Sequence, residues 1–361
     1  MYKKIFMGIA AVAALTLVSC SSDDLNSLSD NSSKNEAISF DGYWGRSAVS
    51  VKGSRGSVIN KAEDLQKVPE GFGVFGNYSS TDGTTPTYGE NLFKNQQVTY
   101  NESAWTYKPV KYWSPAGHID FLAYAPYDSN QELKENSKLD FTVSSTIADQ
   151  KDLLWANAAN QTMANNSGTG EKVNFKFAHA LSRLGYTVKT KSNDASTTID
   201  ASTTITLKTI TLAGSNDGAN GAFYSAGTID LSKDLSKTSS TDLWTNLNSD
   251  TKLKFDWVSS DKELSSNETK NEETEYLFVI PQDFSQKTTS ADVLYVVVEY
   301  TISYSDQTTM KTKVYKQLKL NFEQGKAYTL NLTLGLTPIE FDVTTVEGWT
   351  DNNQSEINSW N

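Results

Sequence analysis

The side chains that could carry chemistry are few enough to take one at a time. The chain has two histidines, His118 and His179, and a single cysteine, Cys20. Two histidines cannot fill a zinc site without carboxylate help, and neither His-x-His nor His-x-x-x-His spacing occurs. Neither histidine lies near a Gly-x-Ser-x-Gly elbow, and no glycine-rich loop running into Lys-Ser/Thr is present to cradle phosphate. The 43 carboxylates could furnish a glycosidase pair, but no pair is marked by its context. His179, within Phe-Ala-His-Ala-Leu-Ser, is expected to be structural, its ring bonded to a nearby carbonyl. The chain therefore reads as a non-enzyme with no cofactor and no metal. Arginine is scarce: against 29 lysines there are only Arg46, Arg55 and Arg183, two of them close together near the N-terminus.

Cys20 has a context of its own. Met1-Tyr2-Lys3-Lys4 is cationic, and Ile5 to Val18 is apolar but for Gly8 and Thr16. That run is shorter than the roughly 20 residues of a membrane span and fits the h-region of a secretory signal. Leu17-Val18-Ser19-Cys20 resembles a bacterial lipobox, in which the cysteine becomes the acylated first residue. The expectation is a signal peptide over 1–19, a lipid on Cys20, and the membrane as its partner. Ser21-Ser22-Asp23-Asp24 resembles the export tag of surface lipoproteins of Bacteroidota-type bacteria, which implies the outer face of the outer membrane.

The elements that would position these groups are strands. Beyond the leader, 37% hydrophobic and 11% aromatic content supports real cores. Without Lys3 and Lys4, 30 basic residues face 43 acidic ones, a charge near −13 that disfavours nucleic acid and anionic headgroups. Residues 20–37 read as a flexible tether. Strand-like segments follow at 38–40, 71–78, 97–100, 105–113, 119–127, 139–143 and 153–156. The stretch 157–170 is polar and aperiodic, a domain boundary or surface loop. In the second half, 173–177 alternates cleanly, 178–184 reads as a turn of helix, and 203–211, 276–280, 293–302, 313–322 and 327–334 read as strands. In 203–211, Ile205, Leu207 and Thr209 are expected to face away from Thr206, Lys208 and Ile210. No helical segment exceeds two turns. The reading is an all-β protein of two domains, 38–170 and 171–349, followed by a polar tail over 350–361.

Several of these stretches, taken in order, resemble one family. They are Gly71-Phe72-Gly73-Val74-Phe75, Lys111-Tyr112-Trp113-Ser114-Pro115, Asp120 to Tyr127, Asp152-Leu153-Leu154, Phe175 to Leu184, Ala327 to Gly335 and Glu347-Gly348-Trp349. The chain resembles the fimbrillins, or type V pilins, of Bacteroidota-type fimbriae. The resemblance implies two transthyretin-like β-sandwich domains in tandem and a structural role in cell-surface fimbriae that supports adhesion. It also implies a trypsin-like protease as partner, cutting after Arg46 or Arg55 to remove the first strand. Other fimbrial subunits would then insert a donor strand into the emptied groove. The 350–361 tail is a poor donor, so either the 339–343 strand with the strand before Trp349 donates, or the protein is a tip or anchor subunit that does not. The alternative is a surface glycan-binding lipoprotein that stacks sugars on some of its eight tryptophans.

Overall fold

The computed structural model describes residues 37–44, 62–81, 85–101, 103–166, 172–191, 202–234, 240–258, 261–265, 269–270, 275–285, 293–335, 340–347 and 356–357. They belong to one compact unit, Glu36–Asn361. Short apolar runs cut by Gly, Pro and Asn make almost every element a strand. In order these are β1 (Phe40–Trp44), the single-turn helix α1 (Ala62–Leu65), β2 (Phe72–Ser79), β3 (Phe93–Asn101), β4 (Ala104–Thr106) and β5 (His118–Ala125). Then come β6 (Lys138–Thr142), β7 (Leu154–Gln161), β8 (Val173–His179), β9 (Ser182–Thr190), β10 (Thr204–Ala213), β11 (Phe223–Tyr224) and β12 (Ala226–Asp230). A second helical turn, α2 (Ser240–Leu243), precedes β13 (Trp244–Thr245), β14 (Lys252–Leu253), β15 (Phe255–Val258), β16 (Lys262–Leu264) and β17 (Thr269–Lys270). The last are β18 (Leu277–Val279), β19 (Gln282–Asp283), β20 (Leu294–Ser303), β21 (Thr309–Leu318), β22 (Asn321–Phe322), β23 (Lys326–Leu334), β24 (Glu340–Glu347) and β25 (Glu356–Ile357). The protein is all-β.

The first half forms a seven-stranded sheet in the order β1-β8-β7-β5-β2-β3-β4. Its middle is buried on both faces, which is why β5 reads as an unbroken apolar run around Asp120. Ile119, Phe121, Ala123 and Ala125 enter a smaller core with Phe40, Phe72, Phe93, Trp105 and Phe175. Leu122 and Tyr124 enter a larger one that continues through Trp155, Trp244, Phe255, Val298 and Leu330. The sheet is thus a wall shared by two cores. Gly73 leaves room for a ring: a Cβ there would lie 2.3 Å from Tyr124 Cε1. The small residue in this strand therefore serves a side chain.

The larger core is closed by two further sheets, β15-β10-β20-β21 and β17-β9-β23-β24-β25. β6, though early in the chain, pairs with β12 and so joins this half. Three expectations need correcting. Residues 178–184 are no helical turn: β8 runs to His179 and β9 starts at Ser182, with Ser182 to Val188 buried on both faces. The 105–113 strand stops at Thr106, ahead of Pro109, which has no N–H to offer a ladder. The polar 157–170 stretch is strand as far as Gln161.

Candidate functional site

The feature that stands out is the seam where β1 enters the smaller core. Ile38 and Phe40 are each 1% exposed, so this segment carries apolar side chains inward as a core strand does. β1 lies parallel to β8 and ends the sheet, with Phe40 opposite Val173 and Trp44 opposite Phe177. The residues ahead of it are held from both sides. Ile38 N–H donates to Lys111 O at 2.8 Å, and Val173 N–H donates to Ser39 O at 2.9 Å. The Tyr107 hydroxyl donates to Ile38 O at 2.8 Å. Burial raises the Tyr107 phenol above its ordinary pKa, so the hydroxyl keeps the proton it donates here.

Phe40 is the plug of this seam. Its ring centroid lies 5.5 Å from Phe93, 5.3 Å from Tyr107, 5.5 Å from Phe121 and 5.7 Å from Phe175. Packing edge-to-face on Phe93 and Phe121, tilted on Tyr107 and stacked on Phe175 adds to plain burial, so one side chain ties four strands or loops together. Gly42 seats the next turn of chain: a Cβ there would come within 3.1 Å of Leu65 Cδ2 and 3.2 Å of Phe177 Cε2. Lys111 closes the mouth, its ammonium bonded to Leu92 O and set 4.8 Å from the Phe93 ring centre.

Cys20, Arg46 and Arg55 lie outside the described residues, as do Ile339 and the acidic run at Asp23-Asp24. Arg183 is described and is 5% exposed, its guanidinium 4.4 Å above the Tyr276 ring. It is an interior residue and no candidate for proteolysis. His179 is buried, but its Nδ1 sits 2.9 Å from Asp152 Oδ1, so its partner is a carboxylate and not the carbonyl expected. The one serine close by in sequence, Ser182, donates its hydroxyl to Glu323 O at 2.8 Å and so faces away from nucleophilic duty. His118 Nε2 lies 3.3 Å from Asp120 Oδ2, and that carboxylate also accepts from the backbone of Thr87 and Asn160, both at 2.7 Å. The carboxylate ties the loop at Thr87 and the end of β7 to β5. Among the described residues no group of three or more His, Cys, Asp and Glu is placed to hold a metal. Trp105, Trp113, Trp155, Trp244 and Trp257 are all 7% exposed or less, so none of these five offers a sugar-stacking surface.

Residues 61–349 match the fimbrillin-like family. The chain belongs to that family. As a member it is a fimbrial subunit. Its sequence is 26% identical to the fimbrium subunit Fim1C of Phocaeicola vulgatus, over 97% of this chain and 98% of that one. A putative cell adhesion protein from Bacteroides uniformis matches at 14% identity and a TM-score of 0.48, covering 87% of this chain and 99% of the other. The fimbrial anchor protein Mfa2 from Porphyromonas gingivalis matches at 9% identity and a TM-score of 0.31, over 87% and 97% of the two chains. The family match begins at residue 61, beyond Cys20, β1, Arg46 and Arg55.

Proposed function

We propose that this fimbrillin-like subunit is delivered to the outer membrane surface as a lipoprotein on Cys20 and is then activated for assembly by losing β1. A trypsin-like protease cutting after Arg46 or Arg55 would separate β1 from α1 and β2. The strand would then be held without a covalent link, by its five-residue register on β8, the bonds to Lys111 and Tyr107, and the burial of Ile38 and Phe40. Its departure leaves a groove floored by Phe93, Phe121 and Phe175, with an unpaired β8 edge along one side. A donor strand from another subunit restores both: its backbone completes the ladder and one apolar side chain takes the place of Phe40. The β24 strand is the donor candidate within this chain. The observation that carries the reading is the Phe40 plug, a core residue supplied by a strand at the sheet edge. If neither arginine is cut, Cys20 stays attached and the subunit acts as an anchor.

The tandem β-sandwich division over 38–170 and 171–349 is proposed on the two cores, with β8 crossing into the first sheet and β6 into the second half. Adhesion at the cell surface follows from fimbrial assembly. Treating the purified precursor with an arginine-specific protease tests the assembly reading. A clip at Arg46 or Arg55 followed by a ladder of oligomers is expected, and monomers that persist after confirmed clipping would contradict it.

A further inference from the structure

Three residues of the first strand segment meet the seam in three different ways. Ile38 is buried, and its N–H donates to Lys111 O. Phe40 plugs the smaller core against Phe93, Phe121 and Phe175. Asp41 is turned outward, its carboxylate 3.9 Å from the ammonium of Lys172, just ahead of β8. Alternation along the strand sends the first two side chains inward and the third to the other face. The seam is thus fitted to the sequence Ile-x-Phe-Asp.

That sequence occurs twice in the chain, as Ile38-Ser39-Phe40-Asp41 and as Ile339-Glu340-Phe341-Asp342. No other phenylalanine has this setting. Leu253-Lys254-Phe255-Asp256 comes nearest, but there β15 is paired on β10 and Asp256 accepts from Thr211 at 2.9 Å. The second occurrence runs into β24, the last strand but one of its sheet. Among the described residues β24 is bounded on its outer side by two pairs with β25. It can leave while the eight-pair ladder of β23 on β9 stays whole behind it.

We infer that the partner of the seam is a second copy of this chain, which lays Ile339, Phe341 and Asp342 where Ile38, Phe40 and Asp41 have been. This rests on the strand-exchange reading above and adds the identity of the donor and its register. Phe341 takes the plug, the N–H of Ile339 takes the Lys111 carbonyl, and Asp342 answers the charge of Lys172. The two segments part at the next position, where β1 has Gly42 and the donor has Val343. A Cβ at position 42 meets Leu65 and Phe177 at 3.1 and 3.2 Å, so a valine makes both side chains give way. Before the cut, the better-fitting strand is also the tethered one, and the precursor does not polymerise. Cutting removes the high effective concentration of β1, and a crowded second copy then competes.

Disulfide trapping tests this. Asp41 stands opposite Asn174 of β8, and neighbouring strands lie about 4.8 Å apart, within reach of a disulfide. Asp342→Cys combined with Asn174→Cys should therefore link successive subunits when the clipped, assembled protein is oxidised. The clipped chain has no cysteine of its own, since Cys20 precedes both arginines. Thr344→Cys with Asn174→Cys, about 7 Å out of register, should not link. Oligomers that form without the link between positions 342 and 174, or that link equally through 344, would overturn the proposal and leave strand exchange standing. A clipped wild-type chain that forms no oligomers would overturn both. A labelled peptide of residues 337–347 gives a second measure, free of cysteine substitutions, on the clipped wild-type chain. It should bind, and Phe341→Ala should weaken it about tenfold or more. If a peptide of residues 36–45 binds and the 337–347 peptide does not, or if binding is indifferent to Phe341→Ala, the second copy is not the donor.

Discussion

The smaller core takes one of its central residues from β1, which reaches it ahead of α1 and β2 and is held along five residue pairs of one neighbour. In the larger core the long strand β20 is gripped by β10 over nine pairs and by β21 over ten. A single backbone cut between β1 and β2 therefore isolates Phe40 from the chain that surrounds it, whereas β20 is bracketed by its own hairpin and sheet. In the proposed assembly one core is opened and the other persists. The same contrast appears at the sheet edges, since β21 carries three lysines and β1 carries none.

Truncations at the two cores should break or sharpen this contrast. Phe40→Ala removes a 1%-exposed ring from four aromatic neighbours and is expected to cost the uncut protein about 3–5 kcal/mol in urea unfolding. Leu330→Ala, at a fully buried site in β23, should cost about 2–5 kcal/mol. After cleavage and removal of β1 the Phe40 difference should vanish, while the Leu330 difference remains. Gly42→Val sets a branched side chain against Leu65 and Phe177 and should destabilise the uncut form by about 1–3 kcal/mol. Trp244→Phe in the larger core deletes the 2.9 Å bond from Nε1 to Ala180 O and should cost about 1–3 kcal/mol whether or not β1 is present.

The smallest expected effects are those of pH. Tyr107 at the seam and Tyr88 both have raised phenol pKa values through burial, Tyr88 to about 12 with help from the Asp120 and Asp230 charges. A raised phenol gives stability that is complete below the unfolded value of about 10 and is lost as pH rises through the folded one. The Tyr107 share should disappear in the cleaved protein, and Tyr107→Phe should reproduce that loss in alkaline titrations followed by circular dichroism. On the acid side, burial alone would raise the Asp230 carboxyl, but hydrogen bonds from Ser232 and Ser137 and the Lys233 charge outweigh it and hold it low. Its stabilisation is present above about pH 4 and is lost as pH falls through the depressed value. Asp230→Asn should flatten that limb equally in cut and uncut protein.

Much of this was legible in the sequence for physical reasons. Strict alternation exposed β8 and β23, where Leu330, Leu332 and Leu334 are buried as their spacing demands. Between Trp105 and Tyr127, Trp105, Trp113, Phe121 and Tyr124 point inward, as rings on strands mostly do, while Tyr112 stays exposed. What escaped were features fixed by pairing at a distance. The bulge at Lys208, where the register of β10 slips between Leu207 opposite Tyr300 and Thr209 opposite Glu299, depends on β20 residues more than ninety positions away, and nothing in 203–211 announces it. β6 reads as one more strand of the first half, but its partner is β12. The Asp152 partner of His179 lies 27 positions back, beyond any local rule. The seam itself was half visible: Ile38-Ser39-Phe40 marked a strand, while its parallel seat on β8 required the fold.

The most direct test of the account is the N-terminal sequence of this subunit recovered from assembled fimbriae at the cell surface. A chain starting at Ser47 or Gly56, one residue after Arg46 or Arg55, with Phe40 absent, is the expected result. A chain that begins at Cys20 and keeps Phe40 within a polymerised fibre would contradict it.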